Sequence, residues 1–317
     1  MNKVLAILVL SATLSLSAAS TLTFNEFWSL ADINEYMDEL IQDFPALFSR
    51  EQYGTTSEGR RVEAFVIRRG APKPTIVVEC GISPREWLST MTAMYIIHEL
   101  VEHDYEFDDI LNAIDIVVVP VSNPDGYVFS HTTDRNWNKN RRAVSASCFG
   151  ADINRNFQYQ FLSTGDPCGE NFSGPFFFSE AESQSIRDVL LAHQSRVIMF
   201  VSVRGGGQRI IIPYNYLGVP STVNEARQRN VAGQVAAALN SANGRIYTVG
   251  VGGILNGVQS GTPIDFAYEL RNIPMSFELR LPSGTGAPWV IPEAQLNALL
   301  REAFRGFVAF ANAAVAM

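Results

Sequence analysis

Four short segments of this 317-residue chain carry residue types that could do chemistry. Carboxylates can serve as general bases or metal ligands, and an arginine can offer a bidentate fork to a carboxylate. The segments are Gly81-Ile-Ser-Pro-Arg-Glu-Trp87, Asn123-Pro-Asp-Gly-Tyr127, Gly150-Ala-Asp-Ile-Asn-Arg-Asn156 and Ser276-Phe-Glu-Leu-Arg280. These types suit hydrolysis or the binding of a carboxylate.

An alternation of short β-rich runs and helical patterns must position these segments. The predicted strands are Val62–Arg68, Thr75–Cys80, Ile114–Val121, Arg196–Val203, Arg209–Pro213, Ile246–Val251 and Pro274–Leu281. The predicted helices are Ile33–Phe44, Leu88–Glu102, Ser179–His193, Thr222–Ser241, Ile264–Leu270 and Pro292–Ala314. The alternation predicts an α/β fold with a mixed, largely parallel central sheet and helices on both faces.

The polar stretch Ser122–Gln160 shows little regular pattern between these elements. A loop of that length inside a compact domain is usually functional. In open α/β sheets, ligands bind where loops leave the carboxyl ends of the strands. We therefore expect the site at that edge of the sheet.

In their order and spacing, the four segments resemble the zinc metallocarboxypeptidases of the carboxypeptidase A/B type. Tyr53-Gly-Thr-Thr-Ser-Glu-Gly-Arg60 adds to the match, which runs from about Phe24 to the C-terminus. The resemblance implies that family's fold. It also implies one carboxypeptidase-like domain over residues 21–317, without the inhibitory propeptide domain that secreted digestive members usually carry.

In that family, a His-x-x-Glu turn and a later histidine bind zinc, which activates a water molecule in the fourth position. Here Ser83 and Arg204 occupy the two histidine positions, and only Glu86 matches a ligand. Arginine is a permanent cation without an acceptor atom, so it cannot bind zinc. The chain's four histidines, none at a matched position, are His98, His103, His131 and His193. We therefore expect a divergent member that lacks both zinc-binding histidines and has no zinc cofactor.

Other family site residues are retained in this sequence. Glu278 matches the general base, and Asn154 and Arg155 match residues that bind a substrate's C-terminal carboxylate. Arg135 matches another arginine of the cleft. Ile264 falls where the family recognises the substrate's last side chain, which implies an apolar or aromatic terminus.

Two further family residues are replaced. Asn138 stands at the position of the arginine that polarises the scissile carbonyl, and Gly257 at that of the mobile tyrosine that closes over substrate. Asp152 matches the acid that supports the first metal histidine, whose position is now Ser83. The combined losses remove the main electrostatic contributions to the transition state and imply an inactive pseudopeptidase.

Loss of the metal would leave its position without positive charge. Without zinc, Glu86 and Glu278 would face each other as like charges in a partly buried cleft, which normally raises one carboxyl pKa. The guanidinium of Arg204 could replace the positive charge of the metal. We predict that Arg204 forms an ion pair with Glu86 or Glu278.

The N-terminal residues predict secretion. Lys3 precedes the apolar run Val4–Leu16 and four small residues follow, which is the layout of a signal peptide over residues 1–20. The run is shorter than the ~20 apolar residues of a membrane-spanning helix. The net charge of −8 argues against a nucleic-acid or anionic-membrane partner.

In an oxidising compartment, Cys148 and Cys168 are predicted to form a disulfide that closes a short loop. Cys80 ends an apolar run and is predicted to be a buried thiol. Asn171-Phe-Ser173 is an N-glycosylation sequon.

The leading hypothesis is a secreted, catalytically inactive homologue that binds a peptide C-terminus or a secreted protein partner. By analogy with the family we expect a monomer. The alternative is an active zinc carboxypeptidase that releases apolar or aromatic C-terminal residues with a displaced metal ligand. A metal-free hydrolase with Ser83 as nucleophile lacks both a Gly-x-Ser-x-Gly elbow and an activating histidine. A purely structural or storage role would leave Arg155 without any part in binding.

Overall fold

The computed structural model of the chain describes residues 23–219 and 223–317. The predicted signal peptide, residues 1–20, lies outside the described residues. The strands are β1 (Phe48–Thr55), β2 (Arg61–Ile67), β3 (Thr75–Glu79), β4 (Asp115–Val119), β5 (Val197–Arg204), β6 (Arg209–Ile212), β7 (Thr248–Val251) and β8 (Met275–Arg280). The helices are α1 (Leu30–Asp43), α2 (Trp87–Glu102), α3 (Asp108–Ala113), α4 (Pro124–Thr132), α5 (Ala181–Ala192), α6 (Glu225–Asn243), α7 (Gly252–Leu255), α8 (Pro263–Leu270) and α9 (Glu293–Val315). Two 3-10 helices cover Asp104–Phe107 and Ile153–Arg155.

The eight strands form one mixed sheet in the order β1-β2-β4-β3-β5-β8-β6-β7. The central pairs β4–β3, β3–β5 and β5–β8 are parallel, as is the outer pair β6–β7. The pairs β1–β2, β2–β4 and β6–β8 are antiparallel. This topology confirms the predicted mixed, largely parallel sheet.

Successive side chains of the buried central strands point to opposite faces of the sheet, where they enter two separate cores. Ile76 and Val78 of β3 pack in the core that α1, α2, α6 and α9 cover, whereas Val77 packs in the core under α5 and α8. Helices therefore lie on both faces, as predicted. No helix of the described ranges is long and apolar enough to cross a lipid bilayer.

The structure differs from the predicted elements in two main places. Strand β1 was not predicted, because its sequence is mostly polar; it lies at an edge of the sheet and only its first residue is buried. Helix α4 lies within the stretch that was expected to lack regular structure. It begins with a capping bond from the Gly126 amide to the Asn123 side chain, 3.0 Å long, followed by Pro124 at the first helical position. These capping signals were present, but the helix lacks the one-sided apolar pattern that identifies most surface helices. The short helices α3 and α7 were not predicted either.

The cysteines behave as predicted. Cys148 and Cys168 form a disulfide, and Cys80 is a free, buried thiol. Asn171 is exposed in the loop beside that disulfide, so its glycosylation stays a prediction.

Candidate functional site

The carboxyl ends of the parallel strands β3, β5 and β8 bring the predicted site residues together. The turn after β3 contains Ser83 and Glu86, and it is closed by a 3.0 Å bond from the Glu86 amide to the Ser83 carbonyl. Helix α2 begins directly after this turn. Because Glu79 of β3 pairs in register with Ser202 of β5, the end of β5 lies beside the turn.

Arg204, the last residue of β5, connects the other two positions where the family places its metal ligands. Its Nε lies 3.1 Å from Oε2 of Glu86, and its Nη2 donates a hydrogen bond to the hydroxyl of Ser83. The backbone amide of Gly205 donates to the same Glu86 oxygen at 2.8 Å. Of the two ion pairs that the charge argument allowed, the structure contains the one with Glu86.

Nearby carboxylates stabilise the charged form of Arg204, although the residue is only 5% exposed. Burial lowers its pKa, but the carboxylates of Glu86 and Glu278 raise it by more, so the net shift is upward. Its Nη1 is buried and has no hydrogen-bond partner among the described residues. A permanent cation therefore lies among the three positions. One carboxylate with no imidazole does not fit zinc, whose sites need at least three protein ligands.

Gly205 makes the close approach of this loop to Glu86 possible. A Cβ atom at position 205 would lie 3.2 Å from both Cβ and Cγ of Glu86. That separation is tighter than ordinary van der Waals contact, so a side chain here would push against the ion pair with Arg204. The absence of a side chain at Gly205 thus allows its backbone amide to donate a hydrogen bond to Glu86.

Glu278, at the position of the family's general base, forms an ion pair with a second arginine, Arg280. It is 1% exposed, and its Oε1 lies 2.5 Å from Nε of Arg280, two residues further along β8. The register between β5 and β8 sets Arg204 directly beside Arg280. Each of the two carboxylates, Glu86 and Glu278, is therefore neutralised by a different guanidinium. Arg280 is the last residue of the segment Ser276-Phe-Glu-Leu-Arg280, but the sequence analysis gave it no role in the site.

Sequence reasoning also missed Glu79, which lies below the turn and is fully buried. It accepts hydrogen bonds of 2.7 Å from the hydroxyls of Ser122 and Ser202. Burial raises its pKa, and the charge of Arg204 opposes that rise. The available signal was a carboxylate inside an otherwise apolar strand, since such a residue is almost never fully buried unless it is paired.

The 3-10 helix Ile153–Arg155 presents the residues expected to bind a carboxylate. Nε of Arg155 lies 3.1 Å from Oδ2 of Asp152, whose other carboxylate oxygen accepts the amide of Asn154 at 3.1 Å. Burial raises the pKa of Asp152, against the opposing charges of Arg155 and Arg204. The two terminal nitrogens of Arg155 make no hydrogen bond to described residues, and its side chain is 21% exposed. The arginine is thus oriented by Asp152 while its terminal nitrogens stay available.

Arg135 lies on the indole of Trp87, with its guanidinium carbon 3.6 Å from the ring centroid. It donates to the carbonyl oxygens of Arg85 at 2.6 Å and Trp289 at 3.3 Å. No carboxylate of the described chain pairs with it, and burial lowers its pKa to about 10. Arg135 therefore joins two loops of the cleft and carries a charge without a counter-ion.

The remaining predicted positions are Ile264, Asn138 and Gly257. Ile264 on α8 is fully buried and packs in the core with Ile153 and Phe266, so its side chain does not line an open pocket. Asn138 lines a separate cavity of about 410 Å³ next to the disulfide. Gly257 has φ +74° in the loop after α7, with no atom within 4 Å of where a Cβ would lie. An open space thus remains where the family's tyrosine side chain would begin.

Comparisons with known proteins agree with the fold and the order of these segments. The family model described as zinc carboxypeptidase matches residues 33–306. The chain is 34% identical to carboxypeptidase A2 of Rattus norvegicus over 292 residues, which cover 89% of this chain and 69% of that protein. It is 30% identical to carboxypeptidase B of Astacus astacus over 288 residues, covering 89% of this chain and 94% of that one.

Solved structures give the same result. Carboxypeptidase A from Helicoverpa armigera superposes with a TM-score of 0.88 at 29% identity, over 96% of this chain and 78% of that chain. Bovine thrombin-activatable fibrinolysis inhibitor, solved in complex with a tick carboxypeptidase inhibitor, superposes with a TM-score of 0.86 at 24% identity, over 92% and 99% of the two chains. The second likeness concerns the fold alone.

Proposed function

The chain belongs to the zinc carboxypeptidase family, and we propose that it is a secreted, catalytically inactive member whose cleft binds the C-terminal carboxylate of a peptide or of a secreted protein. The observation that carries the proposal is the contact of Arg204 with both Ser83 and Glu86. It puts a fixed cation, which has no acceptor atom, at the positions that hold zinc in the family. Without the metal, the chain lacks the group that activates water for attack on a peptide bond.

The state of the other reacting positions supports the same proposal. Glu278 is buried, and its carboxylate is engaged in an ion pair with Arg280. Asn138 and Gly257 offer neither the guanidinium nor the phenol of the family's residues. Among the described residues, the one group of histidine, cysteine or acidic side chains close enough to hold a metal does not include Glu86. A displaced ligand that would rescue the cleft therefore has no support in the geometry.

The retained arginines are the basis for a binding role. Arg155 directs two unbonded terminal nitrogens away from its contact with Asp152, which matches the fork needed for a carboxylate. Arg135 has no acidic partner in the described structure, so its charge remains uncompensated. In this proposal Arg155 binds the ligand carboxylate, and Arg135 adds positive charge to the cleft.

The test uses binding of a blocked tripeptide that ends in phenylalanine, compared with the same tripeptide amidated at its C-terminus. We expect the free acid to bind more tightly than the amide, and Arg155→Ala to weaken binding of the acid by about 10- to 100-fold, since a hydrogen bond to a charged group contributes ~1.5–3 kcal/mol. Isothermal titration calorimetry measures both affinities. The matched control is Arg229→Ala on α6, an exposed arginine paired with Glu225 that should leave binding unchanged.

Mass spectrometry of the same samples decides between the two functions. The proposal requires the tripeptide to stay intact during long incubation. Release of phenylalanine that a zinc chelator stops and Glu278→Gln abolishes would establish the active alternative instead. Equal affinity for acid and amide, with no effect of Arg155→Ala, would mean that Arg155 only holds its loop.

A further inference from the structure

A cluster of side chains whose types can bind a metal lies far from the cleft, at the carboxyl end of α2. One ligand atom from each of His98, Glu99 and His103 lies within 4.8 Å of the others. Glu86 occupies the N-cap position of α2, and Glu99 lies 13 residues after Glu86 along this helix. At a rise of about 1.5 Å per residue, the cluster lies about 20 Å from the turn at Glu86. The cluster is therefore separate from the site described above.

The end of the helix makes these side chains converge. Helix α2 ends at Glu102. The amide of the next residue, His103, still donates a helical hydrogen bond to the Glu99 carbonyl, 3.2 Å long. Residues four apart lie on one face of a helix, so the side chains of Glu99 and His103 are neighbours. His103 Nδ1 is 3.8 Å from Glu99 Oε2, too far for a hydrogen bond, and it has no hydrogen-bond partner among the described residues.

The imidazole of His98 is oriented by a contact from another helix. Its Nδ1 lies 2.6 Å from the hydroxyl oxygen of Tyr36 on α1. The second ring nitrogen, Nε2, makes no hydrogen bond within the described chain. Histidines that bind metals are typically held in this way, with one ring nitrogen bonded to a supporting group and the other on the metal.

The surrounding charges favour a cation. The carboxylates of Glu39, Glu99 and Glu102 all act on the hydroxyl of Tyr36, so negative charge is concentrated around His98. The carboxyl end of a helix adds partial negative charge. The opposing cations are Arg301 and Arg305 of α9, which line the same cavity of about 850 Å³ as Glu99 and His103. The cavity gives an ion access to both side chains.

We propose that His98, Glu99 and His103 bind a divalent transition-metal ion, and that zinc is the ion their donor types suit best. Two imidazoles and one carboxylate, completed by water, form a common zinc donor set. Ligand atoms about 2.0–2.2 Å from a tetrahedral ion are roughly 3.4 Å apart. Compared with the 4.8 Å within which the three ligand atoms now lie, each pair thus needs to close by no more than about 1.4 Å. The site is independent of the proposed function of the cleft.

The experiment uses untagged protein that has been stripped with a chelator and dialysed against buffer containing a few micromolar zinc. We expect about one zinc per chain by elemental mass spectrometry, and a thermal unfolding midpoint that rises with zinc, because an ion that binds only the folded state stabilises it. His103→Asn should weaken zinc binding at least about tenfold in calorimetric titration. Glu106→Gln is the matched control, because this carboxylate lines the same cavity outside the cluster and its loss should leave the affinity unchanged.

Glu86→Gln locates the bound ion. Retention of zinc by this variant supports the site on α2, and loss of zinc would put the ion in the cleft and overturn the proposal. Wild-type protein without bound zinc would also overturn it, as would His103→Asn protein that is folded by circular dichroism and binds zinc as tightly as the wild type.

Discussion

Replacing Arg204 with alanine is expected to lower the free energy of unfolding by about 3–5 kcal/mol, because it breaks a buried ion pair and leaves one partner's charge uncompensated. Arg204 is 5% exposed, and the Glu86 side chain is 11% exposed. Without the guanidinium, Glu86 keeps the amide of Gly205 as its donor but loses its counter-ion. Glu79, buried beneath the same turn, loses the charge that opposes its desolvation. Two carboxylates, Glu86 and Glu79, thus depend on the charge of Arg204.

Urea denaturation of the wild type and the Arg204→Ala variant measures this loss. Arg229→Ala is the matched control, since its exposed pair with Glu225 at i,i+4 should contribute no more than ~0.5 kcal/mol. A double-mutant cycle with Glu86→Gln separates charge from packing. If the unpaired charge of Glu86 causes the loss of stability, Arg204→Ala should lower the free energy of unfolding by at least about 1 kcal/mol less in the Glu86→Gln background. A loss for Arg204→Ala no larger than that of the control would refute the proposed role of this arginine.

The second large effect is the return of a metal to the cleft. We expect the double variant Ser83→His with Arg204→His to bind zinc, because it completes with Glu86 the two imidazoles and one carboxylate that the family uses. Asp152, which matches the family's supporting acid, remains in place. We expect a dissociation constant of about 1 µM or lower, equivalent to about 8 kcal/mol of binding free energy. Arg204→His alone supplies only two ligands and should bind far more weakly.

The measurement belongs in a His103→Asn background, so that the site on α2 does not contribute. Elemental analysis should then give about one zinc per chain for the double variant and almost none for its parent. Adding Glu86→Gln should remove the ion again. Zinc that survives the loss of Glu86 would show that the three positions do not act together as a ligand set.

Restoring the metal is not expected to restore peptide hydrolysis. Asn138 and Gly257 still lack the groups that polarise the carbonyl and close over the substrate, and Glu278 stays paired with Arg280. We therefore expect that recovery of the reaction would need changes at several independent positions. Arg204 places a guanidinium at these strand ends, where its positive charge compensates the carboxylate of Glu86.

The sequence by itself determined the fold class and the family, whereas the loss of the zinc-binding histidines stays a prediction. These follow from motifs in a definite order and from the periodicity of apolar residues, both of which are local properties of the chain. The same reasoning predicted the disulfide and the buried thiol of Cys80. It failed for β1, because a mostly polar edge strand carries no apolar alternation and depends on its pairing with β2.

Only the tertiary structure decided how the charges are matched. Both Glu86 and Glu278 were available to Arg204 in the sequence. In the structure Arg204 pairs with Glu86, and Glu278 pairs with Arg280, which lies two residues further along the same face of β8. The sequence likewise lists His98, Glu99 and His103 close together, but their convergence depends on α2 ending at Glu102 and on the contact from Tyr36. Ion pairs and metal sites need atoms within a few ångströms of each other, and strand register and helix ends set such distances across the fold.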